Sequence, residues 1–406
     1  MQLLPKTAGA SAKRLLLAKA LRSIADGYVS ILLPAYLLEL GLSAVQVGFL
    51  ATATLLGSAT LTLFTGFITT RWGYRRPLFA ASGLMLLTGI AFTSLHAFWP
   101  LLLVAFIGTL NPSSGDVSIF LPLEQSLLSY SIEDRDRTAL FAHYSLTGAL
   151  FVAVGTLLAG VPAVAALWFH TTALAAMQGM FLLYALIGLL VGVIYRGLPE
   201  PEADRIGSRP PPLGPSRRMV YRLAALFSVD AFGGGFIVQT ILALWLFRNF
   251  KLPVATTAGL FFWMNLLTAL SYLAAPPIAR RIGLVRTMVF THLPSSVCLI
   301  VIPFVSSLDA VVALLMVRSL LSQMDVPTRS SYVMAIVTPA ERPAAAGITS
   351  VPRSLAAAVS PTISGYLLAA STFAWPLLIC GALKIAYDLS LLAMFRSIRP
   401  PEEDVS

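Results

Sequence analysis

Gly66-Phe67-Ile68-Thr69-Thr70-Arg71-Trp72-Gly73-Tyr74-Arg75-Arg76 and Pro276-Pro277-Ile278-Ala279-Arg280-Arg281-Ile282-Gly283-Leu284-Val285-Arg286 are two copies of one pattern. Arg71, Gly73 and Arg76 match Arg281, Gly283 and Arg286 at one fixed offset, and each copy follows a long apolar stretch. A second match at nearly the same offset joins Asp116-Val117, followed by Glu133-Asp134-Arg135, to Asp325-Val326, followed by Glu341-Arg342. Two independent matches at one spacing indicate an internal duplication, so the chain is read as two homologous halves.

Composition says what the halves are made of. Of 406 residues, 57% are hydrophobic and 11% charged, with mean hydropathy +0.82, against about 25% charged residues in a soluble domain. So few charges cannot cover a water-facing surface. The apolar residues fall in blocks of about 20, the length a helix needs to cross the hydrocarbon of a bilayer. Spans are expected near 15–38, 44–70, 77–96, 99–123, 138–160 and 172–195, then 219–247, 254–280, 286–306, 309–336, 343–369 and 373–396. The fold class is therefore an all-α integral membrane protein with twelve transmembrane helices. Residues 1–196 form an N-terminal six-helix bundle, 197–218 a linker rich in Pro, Gly and charge, and 219–406 a C-terminal six-helix bundle.

The net charge of +10 does not indicate a nucleic-acid partner, because the basic residues are not gathered into one domain. They lie at helix ends. With the N-terminus inside, the inner loops hold Arg71, Arg75, Arg76, Arg135, Arg137, the cluster from Arg196 to Arg222, Arg280, Arg281, Arg286 and Arg342, while the outer loops hold Arg248 and Lys251. By the positive-inside rule both termini are expected in the cytoplasm, in a cell membrane of the bacterial inner or plasma type. The first apolar stretch contains Arg22 and Asp26 and no cleavage site, so it reads as a retained span. Cys298 and Cys380 lie in apolar segments without metal-site or disulfide spacing, and no metal or cofactor is expected.

Here the chain resembles the major facilitator superfamily, whose signature after the second helix reads roughly G-x-x-x-D-R-x-G-R-[RK]-[RK]. Gly66, Arg71, Gly73, Arg75 and Arg76 match it. The resemblance covers the whole chain and implies two pseudo-symmetric bundles with spans one, four, seven and ten lining a central cavity. The acid of the signature is Thr70 here and Arg280 in the second copy. In the family that acid helps lock the outward-open state, so Glu133, Asp134 and Glu341 are candidate substitutes. The antiporter glycine pattern of the fifth helix is matched only loosely, by Gly148, Gly155, Gly160 and Pro162.

A charge at mid-bilayer costs about 2.5–3.5 kcal/mol on insertion scales, so an ionisable residue within a span points to the transport pathway. Asp26, Asp116, Asp230, Asp325 and Asp388 are such acids. Asp26 and Asp230 lie deepest and are the proton-coupling candidates, against the plainer reading that a neighbouring base neutralises each. Arg22 stands four residues before Asp26, and Lys384 four before Asp388, each pair on one helix face. Asp230 has no base one turn away and precedes Gly233-Gly234-Gly235, which can break the helix. In span ten, Arg318, Asp325 and Arg329 share a helix face. Arg318 is a substrate candidate, while Asp325 and Arg329 are expected to bond Arg353 and loop charges in a cytoplasmic gate. That gate would also hold Gly66, Arg71, Gly73, Arg75, Arg76, Glu124, Glu133, Asp134, Arg281, Gly283, Arg286 and Glu341. Substrate-cavity candidates are Arg22, Tyr28, Asp116, Gln239, Trp263, Asn265 and Arg318, with aromatic packing the competing reading for the rings. His292 is placed near a span end and given no role.

These residues favour a secondary transporter working by alternating access, with proton-coupled export of a small organic or drug-like compound by antiport. Uptake or exchange of an organic anion or zwitterion is the alternative that Arg22, Arg318 and Arg353 suit. The expected partners are a small-molecule substrate, protons and the lipid bilayer, with the chain a monomer. A polytopic membrane enzyme would need a nucleophile, metal cluster or acid–base pair that the sequence does not display, and no Walker-type phosphate loop is present.

Overall fold

A computed structural model of the chain describes residues 9–113, 118–130, 134–199, 214–338 and 341–396. Every regular element among them is helical. In order these are α1 (Ala10–Glu39), α2 (Ala44–Trp72), α3 (Arg75–Ser94), α4 (Phe98–Ile107), α5 (Phe120–Tyr130), α6 (Asp134–Leu158), α7 (Val161–Trp168) and α8 (Ala173–Arg196). There follow α9 (Arg217–Gly235), α10 (Gln239–Phe250), α11 (Val254–Ile282), α12 (Leu284–Val301), α13 (Leu308–Leu321), α14 (Asp325–Ala335), α15 (Arg342–Ala370) and α16 (Trp375–Phe395).

Nine helical segments among the described residues are long and apolar enough to cross a membrane. The expected first, fourth and eleventh spans are those outside this set. Physical reasons are visible in each: α1 carries Arg22 and Asp26, α15 is rich in Ala, Ser, Thr and Pro, and the fourth span is broken. α4 ends at Gly108, which is extended, and Asn111-Pro112 cannot continue a helix. Two further expected spans are interrupted. α9 gives way to α10 after Gly235, and α13 ends at Leu321 with turn residues 322–324 before α14.

Contacts divide the chain into two units, Met1–Ile206 with Gln239–Phe262, and Gly207–Val238 with Trp263–Ser406. In the first, α1 packs on α6 and α8, and α3 on α8. In the second, α9 packs on α15 and α16, and α12 on α16. The same pairing thus occurs twice. The α1–α6 crossing depends on small residues, because a Cβ at Gly27 would strike the Val152 carbonyl and one at Gly155 the Ile24 carbonyl. Gly73 and Gly283, from the two copies of the repeated loop, both have positive φ, at 72° and 88°. That backbone conformation favours glycine, which explains why the repeat keeps it.

Buried side chains fill each unit, while Leu87, Leu103, Val193 and Phe290 lie exposed on helix surfaces. In a bilayer such residues face lipid, so their exposure needs no partner protein.

Candidate functional site

Each unit buries one cluster of ionisable side chains. In the first, Arg22 of α1 is 3% exposed and pairs with Glu124 of α5, which is wholly buried. Tyr144 of α6 and Tyr195 of α8 donate their hydroxyls to the two oxygens of the same carboxylate. The Phe120 ring lies 4.1 Å below the Arg22 guanidinium, a stacking that desolvated cations favour. Four helices converge on one acid. Arg22 and Glu124 were expected in the cavity and the gate; both instead sit in the bundle core, because a buried charge is tolerable only with its partners in place. Asp26 lies on the next turn, within electrostatic reach of Arg22 and Lys19 and hydrogen-bonded by Asn111.

Tyr28 also leaves the cavity set. It is fully buried, and its hydroxyl donates to the Met180 carbonyl at 3.2 Å. Gln239 accepts a 2.9 Å bond from Ser30 Oγ. Beside it Thr240 Oγ1 donates to the Ser30 carbonyl at 2.9 Å and the Pro112 carbonyl at 3.1 Å. These bonds tie the start of α10 to α1 and satisfy the carbonyls of Ser30 and Pro112, the latter at the broken end of its own helix.

The second unit centres on Asp230 of α9, which is 4% exposed. Lys384 Nζ of α16 donates to its Oδ1 at 2.6 Å, and Arg329 of α14 donates to its Oδ2 at 3.2 Å. The same Arg329 nitrogen lies 3.3 Å from Asp325. His292 of α12 is joined to Asp388 of α16 through Nδ1, at 3.0 and 3.1 Å from the two oxygens. Its Nε2 lies 3.3 Å from Lys384 Nζ and 3.9 Å from Asp230. Three carboxylates, two fixed cations and one imidazole therefore form a continuous buried chain.

Several expectations are corrected here. Lys384 does not neutralise Asp388 four residues on along its own helix; it crosses to Asp230, and His292 takes Asp388. Arg329, expected among the gate charges, pairs with Asp230 and Asp325. The break at residues 322–324 also separates Arg318 from the stripe it was expected to share with them. Arg318 of α13 lies within electrostatic reach of Cys298 and Cys380, and its Nε is buried without a hydrogen-bond partner. Among the described residues no carboxylate is placed against it. Asn265 is buried, whereas Trp263 is exposed and Arg353 half-buried.

Sequence reasoning missed His292, Lys384, Tyr144 and Tyr195 as members of these clusters. His292 carried a usable signal: α12 runs from Leu284 to Val301, so the imidazole stands at its middle, not its end. The tyrosines carried none, since partners across helices leave no mark in spacing.

The Major Facilitator Superfamily model matches residues 15–317 and 223–406. The chain belongs to this superfamily. It is a multi-pass membrane transporter, not an enzyme. An uncharacterized membrane protein of Saccharomyces cerevisiae is 25% identical over 414 residues, covering 93% of this chain and 92% of that protein. The fold is shared with the nucleoside transporter NupG, at TM-score 0.71 and 14% identity over 96% of this chain and 100% of that one. The human organic anion transporter MFSD10 matches at 0.67 and 17% identity, over 95% and 100%. A bacterial homolog of the human lysosomal transporter Spinster matches at 0.72 and 12%, over 96% of each chain.

The superfamily loop residues are placed as follows. Gly66 and Arg71 are in the last turns of α2, and Gly73 forms the turn to α3. Arg75 and Arg76 are exposed, as are Arg281 and Arg286 around Gly283. Asp134 begins α6, while Asp116 and Glu133 lie outside the described residues. Glu341 accepts bonds from Gly214 N at 2.6 Å, Ser216 Oγ at 2.9 Å, and Thr338 N and Oγ1 at 3.3 and 2.8 Å. Expected in the gate, it fastens the end of the linker within the second unit. These bonds, that from the Thr338 hydroxyl foremost, hold its carboxyl at about 2.

Proposed function

We propose that this transporter moves a small organic compound by alternating access, exporting it from the cytoplasm in exchange for protons. The buried acid–base chain around Asp230 carries this reading. Ionisable groups within membrane helices are costly to hold there, and rearranging their ion pairs gives a bundle two states that proton binding can bias. Asp26, beside Arg22 and Asn111, is the candidate of the first unit. With Arg22 and Tyr28 committed to packing, Arg318, Trp263, Asn265 and Gln239 remain as substrate candidates. The positively charged helix ends support the cytoplasmic placement of both termini.

Arg318 favours a second reading, uptake or exchange of an organic anion. Its charge has no carboxylate neighbour among the described residues, and the fold is shared with a nucleoside transporter and an organic anion transporter. The two readings differ electrically. Anion export against one proton moves net charge, whereas symport of one anion with one proton moves none.

Proteoliposome flux of nucleosides, organic anions and lipophilic cations, with and without an imposed pH gradient, tests both. Flux of a transported compound should follow the gradient and fall in Asp230→Asn and Asp26→Asn; full pH-driven flux in both variants removes these two acids from the coupling, and wild-type flux indifferent to the gradient removes the proton-coupled reading. For a transported anion, a potassium–valinomycin clamp then separates the two readings, since its antiport with one proton responds to voltage and its symport with one proton does not. Arg318→Ala should weaken anion binding about tenfold, the loss of one charge-assisted contact; unchanged affinity takes Arg318 out of the site.

A further inference from the structure

We infer that the proton is carried by the His292–Asp388 pair of α12 and α16, and not by Asp230, an assignment that rests on the proton-coupled reading above. Asp230 is the less suitable carrier because Lys384 and Arg329 hold its two oxygens at 2.6 and 3.2 Å. Protonating it would take from Lys384 the carboxylate it is bonded to and leave Arg329 with Asp325.

The charges then leave one place open. Asp230, Asp325 and Asp388 face Lys384 and Arg329, so the chain carries an excess negative charge when His292 is neutral. One proton on the imidazole balances it. An unbalanced charge in a dry interior is expensive, and imidazole exchanges protons between about pH 5 and 8.

Both states fit the observed atoms. In the neutral ring, Nδ1–H donates to Asp388 and the Nε2 lone pair accepts from Lys384 Nζ at 3.3 Å. In the charged ring, Nδ1–H still donates to Asp388, but Nε2–H now opposes the ammonium and points toward Asp230, 3.9 Å away. Proton uptake thus turns the Lys384–His292 bond into a repulsion and drives Lys384 wholly onto Asp230. The proton is thereby linked to the ion pair between α16 and α9.

The surroundings of the ring are complete on each side. From α16 it meets Lys384, Asp388 and the Tyr387 ring, whose centroid is 6.1 Å away. From α9 comes Asp230, and from α14 Asp325 and Arg329 beyond it. From α13 comes Arg318, which lies toward Cys298, six residues and about 9 Å further along α12. Its positive charge opposes uptake from a distance, and the nearer acids outnumber it.

The test needs no substrate for its first arm. Full-length protein labelled with [15N]histidine in nanodiscs has four histidines, and His292→Gln identifies the signal of interest. That signal should change from neutral to doubly protonated as the pH is lowered. In Asp388→Asn its midpoint should fall by about one unit or more, as loss of a facing carboxylate requires. A ring that keeps one protonation state throughout, or a midpoint unmoved in Asp388→Asn, overturns the assignment. The second arm uses uridine and para-toluenesulfonate, which stays ionised, as flux probes. His292→Gln should lower pH-driven flux of a transported probe about tenfold, a usual coupling between two ligands. Retained pH-driven flux sinks the assignment alone, whereas wild-type flux indifferent to pH sinks the proton-coupled reading with it.

Discussion

The two buried clusters occupy corresponding places and solve opposite problems. Arg22 and Asp230 stand 208 positions apart (230 less 22), against 210 for Arg71 and Arg281, so the first helix of one unit brings a cation where the other brings an acid. In the first unit the cation meets one carboxylate, and two neutral tyrosine hydroxyls complete that acid's shell. In the second unit three acids share two fixed cations and an imidazole. One helical framework thus holds Arg22 in a closed set of bonds around Glu124 in one unit and a set of ion pairs that can rearrange in the other.

The comparison breaks most visibly at Glu124. Glu124→Gln leaves the Arg22 guanidinium buried without its counter-charge, a loss of about 3–5 kcal/mol. Thermal unfolding in detergent should show it, and Arg22→Met together with Glu124→Gln should recover part of the loss. A double variant no more stable than the single would mean that the pair is not a unit. Asp230→Asn should destabilise less, by about 1–3 kcal/mol, because Arg329 keeps Asp325 and Lys384 keeps His292. Its transport, in contrast, should be lost while Glu124→Gln retains substrate exchange at permissive temperature. Equal loss of flux in both would remove the division between scaffold and coupling site.

The architecture was readable because it rests on chain-local quantities: apolar length, charge at helix ends, and a repeat carrying Gly73 and Gly283 at positions that need positive φ. Asp230 was also readable, as an acid where hydrocarbon should be. What could not be read was partnership. A spacing of four suggested Lys384 with Asp388, yet Lys384 reaches further across the interior to Asp230, whose carboxylate it shares with Arg329. The joint expectation for Arg318, Asp325 and Arg329 failed for a related reason, since it assumed an unbroken helix through residues 322–324. Tertiary contacts decide which of several equally spaced groups are paired.

A third acid sharpens the comparison at the smallest scale. Glu341, like Glu124, receives hydroxyl donors, but its bonds come from Gly214, Ser216 and Thr338, all neutral groups outside the helical spans. Its carboxyl is held at about 2 instead of 4.5. A depressed acid supports the fold above its ordinary value, and this support fades as pH falls from about 4.5 toward 2. Exchange of the Gly214 amide, corrected for its intrinsic pH dependence, should therefore be slow at pH 6 and quicken through that window. In Glu341→Gln the same amide should exchange faster at pH 6 and show no such rise on acidification. An amide equally protected in both proteins at every pH would mean that the linker is fastened by something other than this carboxylate.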